Sequence, residues 1–147
     1  MVDTLRGILK EYDSAKYATE NGSAMHSKMR AVRMEKGVLV GDTDIIENIN
    51  KHTELSVFFG EKARVEVPIV AIINGKFISR RIDRMIVDDT NKVVHILDYK
   101  TDIDKNAFRA NYVTQVREYV SIIKKIYPKY AVRGYILWLH DWSLENI

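Results

Sequence analysis

The chain contains no cysteine. That single absence excludes disulfides, thiolate zinc sites, iron–sulfur clusters and a cysteine nucleophile. Any metal must be held by His, Asp, Glu, a carbonyl oxygen or water. Proline is scarce as well: Pro68 and Pro128 are the only two in 147 residues, and no low-complexity linker or internal repeat divides the chain. A single domain is the expectation at this length, with its core within about residues 21–139. Long apolar runs are missing. The longest stretches resemble Val67–Ile73, far short of the about 20 residues that a membrane-spanning helix needs. The N-terminal MVDTLRGILKEYDSAKY has neither a long apolar run nor a small-residue cleavage site, so a cytoplasmic location and no membrane partner are expected. No GxxxxGK[ST] pattern occurs, so a nucleoside triphosphate is not an expected partner. Charge of one sign is not dominant either. There are 23 Lys and Arg against 20 Asp and Glu, a net of +3. The excess is confined to the second part. Residues 1–60 carry eight basic and nine acidic side chains, and residues 61–147 carry fifteen and eleven. A mildly basic C-terminal half is compatible with nucleic acid without requiring it.

What is present is periodicity. Leu5, Ile8, Leu9 and Tyr12 share one helical face. Asn21-Gly22-Ser23 breaks that helix and offers caps for the next, in which Met25, Met29 and Val32 form an apolar stripe and Gly37 is the expected stop. Asp42 or Thr43 is placed to cap a third helix through Ile45, Ile46 and Ile49. The period then changes. Arg64–Ile73, Lys76–Val87 and Lys92–Lys100 are rich in Val, Ile and Phe, with Asn74-Gly75 and Asp88–Asn91 as turns. These segments predict a three-stranded antiparallel meander. Ala107–Tyr127 returns to helical spacing, with Phe108, Tyr112, Val116, Val120, Ile123 and Tyr127 on one side and Pro128 as the stop. Ala131–Leu139 predicts one more strand. A helix between two strands implies a crossover, so the fold class is α/β, an α+β arrangement with a mixed sheet.

Four places could carry chemistry. In the strand VVHILDYK, Asp98 and Lys100 fall on one face with Val94 and Ile96. Burying either charge unpaired would cost several kcal/mol, so the plainer alternative is a strand end emerging into solvent. The preceding strand holds Asp83, which the 88–91 turn brings near the level of residues 96–98. Two converging carboxylates suit Mg2+ or Mn2+; the alternative is an ion pair between Asp83 and Arg81 or Arg84. Gln115 and Tyr119, four apart on the following helix, flank its apolar stripe. They suit hydrogen bonding to phosphate or ribose oxygens, or they are plain helix surface. His26 lies one position off the Met25/Met29/Val32 stripe with Arg30 four residues on, and can point along the core edge toward the sheet. His52, His95 and His140 are weaker candidates.

The order GSAMH, VEVP, GKFISRRIDRMIVDD, HILDYKTD, YVTQVREY resembles the nuclease domain of the RecB and AddA recombination proteins, a branch of the PD-(D/E)XK superfamily. The likeness spans about Asn21 to Leu139, and AddA is the closer in character. The resemblance implies a restriction endonuclease-like core. It implies Asp83 and Asp98 as metal ligands, His26 as a third and the Tyr99 carbonyl oxygen as a fourth. Lys100 is then the catalytic lysine, and Gln115 and Tyr119 support the site and contact the nucleic-acid strand. Arg30, Arg84, Arg109, Tyr112 and Trp138 are candidates for binding phosphates or stacking bases, with core packing favoured for Tyr112 and Trp138. Glu66, in VEVP, stands where relatives often have an acid before a proline. The implied activity is Mg2+- or Mn2+-dependent hydrolysis of DNA phosphodiester bonds, exonuclease-like on single-stranded ends, in recombination and double-strand-break repair. RecB and AddA carry this domain behind a helicase motor; this sequence has none, which makes a separate helicase subunit an expected partner. A non-catalytic DNA-binding or assembly module of a helicase–nuclease complex is the alternative, and a junction- or RNA-directed nuclease shares the same core chemistry.

Overall fold

The computed structural model describes Gly22 and residues 24–147. The expected helix at Leu5–Tyr12 and the caps Asn21 and Ser23 lie outside those residues. Helix α1 (24–31) buries Met29, and Val32 just beyond it is buried too. Gly37 does not end a helix. The chain leaves α1 at Val32 and forms a hairpin of β1 (Arg33–Glu35) and β2 (Val38–Val40). Lys36 at φ 50° and Gly37 at φ 79° supply the two positive dihedrals of its turn, as a tight hairpin requires. A glycine after an apolar stripe fits a helix stop and a turn equally well, and the short strands on either side decide for the turn.

Helix α2 (Thr43–Lys51) starts as the sequence predicts. Asp42 Oδ1 accepts from the Ile45 N–H at 3.1 Å, and Ile45 and Ile49 are buried. A 3-10 segment (Thr53–Phe59), absent from the sequence reading, then buries Leu55, Phe58 and Phe59.

The main sheet has five strands in the order β3 (Arg64–Ile73), β4 (Lys76–Asp88), β5 (Val93–Lys100), β6 (Ala131–Trp138), β7 (Ser143–Asn146). Strands β3, β4 and β5 form the expected meander, turning at Asn74-Gly75 and at Asp88–Asn91, where Asp88 Oδ1 accepts from the Asn91 N–H at 3.0 Å. Helix α3 (Lys105–Ile126) crosses over and returns the chain as β6, parallel to β5 from Val93↔Ala131 to Lys100↔Trp138. The fold is therefore mixed α/β. Strand β7, antiparallel to β6, extends the core beyond the expected limit at residue 139. Its SLEN sequence is too short and polar to announce a strand.

Helix α3 covers one face of the sheet and α1, α2 and the 3-10 segment cover the other. The buried stripe of α3 is Val113, Val116, Tyr119, Ile122 and Ile123. Phe108, expected on that stripe, is exposed together with the rest of residues 106–111, a stretch of α3 tied to β7 by the Arg109–Glu145 ion pair. Tyr119, expected beside the stripe, falls on it. The helix lies close to β6 at Gly134, where a β-carbon would stand 2.5 Å from Val116 Cγ1. No helix among the described residues is long and apolar enough to cross a membrane.

Candidate active site

The site forms where β4 parts from β5. The β4–β5 pairing ends at Arg84↔Leu97, while β4 continues its pairing with β3. At this point β4 changes phase. Ile82 and Met85, three apart, both pack under α3, whereas Arg84 turns to the opposite layer. Strict alternation cannot give that pattern, so the strand is locally twisted at Asp83. On β3, Glu66 sits opposite at φ 51°, a left-handed conformation costing a non-glycine residue about 1–2 kcal/mol. The distortion turns Asp83 into the gap instead of into either core layer.

Asp83 is nearly buried there. Its Oδ2 accepts from the Tyr99 N–H at 2.8 Å and lies 3.4 Å from His26 Nε2. The other ring nitrogen of His26 is 2.8 Å from the Gly22 carbonyl oxygen. The hydrogen bond to Asp83 is the main reason the His26 pKa is raised; partial burial works against it, and Asp98 adds a smaller upward pull. Tyr99 places its ring in the α1 layer, edge-on to His26 with centroids 5.6 Å apart. Its carbonyl shares the side of the strand taken by its N–H, and so faces the same gap.

Asp98 and Lys100 do not emerge into solvent. Asp98 is 4% exposed. Burial pushes its carboxyl up to about 7; Lys100 opposes that shift and neighbouring Asp83 adds to it. Lys100 Nζ stands 3.0 Å from Asp98 Oδ2, an ionic contact, and Oδ2 is otherwise sealed from water. The Lys100 amine spends its directed bond on Gln115 Oε1 at 2.9 Å, and Gln115 Nε2 in turn donates to Tyr119 OH at 2.8 Å. Lys100 Nζ also sits 4.1 Å above the Tyr112 ring, whose hydroxyl donates to Asp102 at 2.7 Å. Gln115 and Tyr119 are therefore neither plain helix surface nor a free strand-binding pair: they fix Lys100, and Tyr119 is buried. The Tyr112–Asp102 pair was not legible, since it links a loop to a helix with no periodic signal.

Two basic candidates change role. Arg84 is 2% exposed and cannot bind a phosphate. It donates to the carbonyls of Met29 (2.9 Å), Val32 and Phe58 (3.2 Å) and to Tyr99 OH (2.6 Å). Nor does it pair with Asp83, which points into the gap toward the Tyr99 N–H and His26. Arg81 pairs with Glu66 at 3.7 Å, not with Asp83. Arg30 stays exposed and lines a cleft of about 430 Å3 with His26, Glu66, Arg81 and Asp83. Trp138 is core, with its indole N–H on Glu145, and Arg109 pairs with the same Glu145. His52 bonds the Asn48 carbonyl, and His95 lies against Phe58 and Tyr135 in the layer away from Asp98.

His26, Asp83 and Asp98 thus form a contiguous run. Among the described residues, however, no three His, Asp or Glu side chains are gathered into a ready metal cage. The donor chemistry still suits a hard divalent cation: two neighbouring carboxylates, one of them buried, and one imidazole.

No family model and no curated protein matches the chain. Among solved structures it is similar to the crystal structure of SSO0001, with 20% identity and a TM-score of 0.43 over 72% of this chain. The chain spans 52% of the length of that one.

Proposed function

We propose that the chain is a divalent-metal-dependent deoxyribonuclease acting on single-stranded ends, with recombination and break repair as its setting and a separate helicase subunit as the partner that exposes those ends. The observation that supports it is the buried Asp83/Asp98 pair beside a lysine held on two sides by Gln115 and Tyr112. Asp83 and Asp98 would hold Mg2+ or Mn2+, with the Tyr99 carbonyl and His26 completing the set. Such an ion, when bound, lowers the pKa of its water and polarises a phosphoryl oxygen. The side chains do the rest. Asp98 contributes a buried oxygen whose neighbour is the Lys100 ammonium, 3.0 Å away, which an incoming cation would displace. Asp83 is kept in place by the Tyr99 N–H and His26. Lys100 is positioned to orient the attacking water or to stabilise negative charge gathering on the phosphate, and Gln115 fixes that position at no cost in added charge.

Degradation of an end-labelled single strand in Mg2+ tests the reading. Lys100→Ala is expected to lower the rate by about 100-fold or more. Hydrolysis at the wild-type rate would sink the mechanism.

The ionic contact between Lys100 and Asp98, which occupies a would-be ligand, favours a second reading: a DNA-binding or assembly module without turnover. Calorimetry with Mn2+ separates the two. Binding that disappears in Asp98→Ala supports the nuclease, and no binding by the wild-type chain supports the module.

A further inference from the structure

The β3–β4 hairpin carries an unusual outer face. Val70, Ile72 and Phe77 are 58%, 72% and 71% exposed. Ile72 lies directly opposite Phe77, Val70 opposite Ser79 and Pro68 opposite Arg81. Alternation puts all of these on one face, while Ile69 and Ile82 point the other way, into the core under α3. Among the described residues nothing covers that face. Its one charged side chain is Arg81; Lys76, opposite Ile73, and Arg80, opposite Ile69, fall on the α3 side. Between residues 67 and 82 the hairpin has no carboxylate. Arg80 is drawn to Glu118 on α3, and Arg81 reaches Glu66 at the root of the hairpin.

The geometry leads somewhere. Phe77, Ser79 and Arg81 run in one line along β4 toward Asp83, six residues and about 20 Å from Phe77. Arg81 and Arg30 both line the cleft at the end of that line. An aromatic ring and an aliphatic side chain in the open, followed by cations, is the combination that holds unpaired bases and their phosphates.

We propose that this face is a track for an unpaired polynucleotide, with bases packed on Phe77 and Ile72 and phosphates carried by Arg81 and Arg30 to the Asp83 cleft. The track rests on the nuclease reading for its purpose and not for its chemistry. It assigns the direction from which a strand reaches the carboxylates.

The test uses the whole chain and a fluorescent oligothymidylate, with binding followed by anisotropy in EDTA so that no cleavage occurs. Phe77→Ala is expected to weaken binding about 10- to 100-fold, and Phe77→Trp to restore it. Arg81→Gln is expected to lower the slope of log K against log salt by about 0.7, the share of one phosphate contact. Phe77 is exposed, so a thermal melt of the Phe77→Ala chain should match wild type. An affinity for Phe77→Ala within twofold of wild type overturns the track. So does self-association that Phe77→Ala abolishes while oligonucleotide affinity stays unchanged. The two proposals fail separately. Phe77-dependent binding without any hydrolysis in Mg2+ keeps the track and removes the nuclease. Hydrolysis with a KM indifferent to Phe77→Ala does the reverse.

Discussion

Replacing Arg84 by alanine tests the assignment that departs furthest from the sequence reading. The guanidinium is sealed in the layer between β4, α1 and the 3-10 segment, 4.2 Å above the Phe59 ring. It satisfies three backbone carbonyls, those of Met29, Val32 and Phe58, and one phenol, Tyr99. Each buried carbonyl left without a donor costs about 1–3 kcal/mol. Against this, the variant no longer has to bury a charge. The net loss should be about 3–5 kcal/mol, the range seen when one partner is removed from a buried charged cluster. For a domain whose whole stability is about 5–15 kcal/mol, that lowers the melting temperature by about 10–15 °C. Urea denaturation followed by far-UV circular dichroism reads the difference through the shift in midpoint. Arg84→Lys keeps the charge but loses the fork, so about half of the loss should remain. Tyr99→Phe removes one acceptor, and the Arg84→Ala/Tyr99→Phe double variant should lose less than the sum of the two singles. A loss below about 1 kcal/mol for Arg84→Ala would refute the reasoning, since that is how an exposed arginine behaves.

Other outcomes follow from the same geometry. In Gly134→Ala the added methyl meets Val116 and Val120, so α3 must shift from β6, and a loss of about 1–3 kcal/mol is expected in a urea titration. Mn2+ should raise the melting temperature of the wild-type chain, by about 2.7 kcal/mol in stability at one hundred times its dissociation constant, and Asp98→Asn should abolish the rise in a thermal-shift assay. His95 has its pKa lowered, mostly by burial and then by Arg133. The folded state therefore resists protonating it, so its contribution is intact above the ordinary value of 6.5 and fades as pH falls below that. His95→Gln should flatten the stability profile on that acid side, read as the urea midpoint at successive pH values.

The sheet was largely legible because its strands advertise themselves locally. Arg64–Ile73, Lys76–Asp88 and Val93–Lys100 lie between well-marked turns, and the Asn74-Gly75 pair fixes the register of β3 on β4. Asp83, Asp98 and Lys100 could be placed together because the Asp88–Asn91 turn aligns their strands. What stayed hidden depends on contacts between distant segments. Nothing near Arg84 announces that its partners are the carbonyls of residues 29, 32 and 58. The phase change at Asp83 breaks the alternation that sequence reasoning relies on, which is why Arg84 was placed with the surface cations. Tyr119 looks peripheral because a stripe through Phe108 passes beside it, and Phe108 lies in the first turns of α3, which stay exposed.

The parallel pairing of β5 with β6 carries one more consequence. These neighbours are separated in the chain by the whole of α3, so their ladder closes only after a long loop has been ordered. Lys100 does not wait for that closure, because Gln115 and Tyr112 come from the helix that directly follows its strand. Asp83 depends on a more distant event, the docking of α1 that brings His26 to it. Loop length therefore makes the seating of Lys100 the nearer closure and the meeting of His26 with Asp83 the more distant one. In a refolding experiment protection of the α3 amides should return ahead of protection in α1, and the interval between them times the docking of α1.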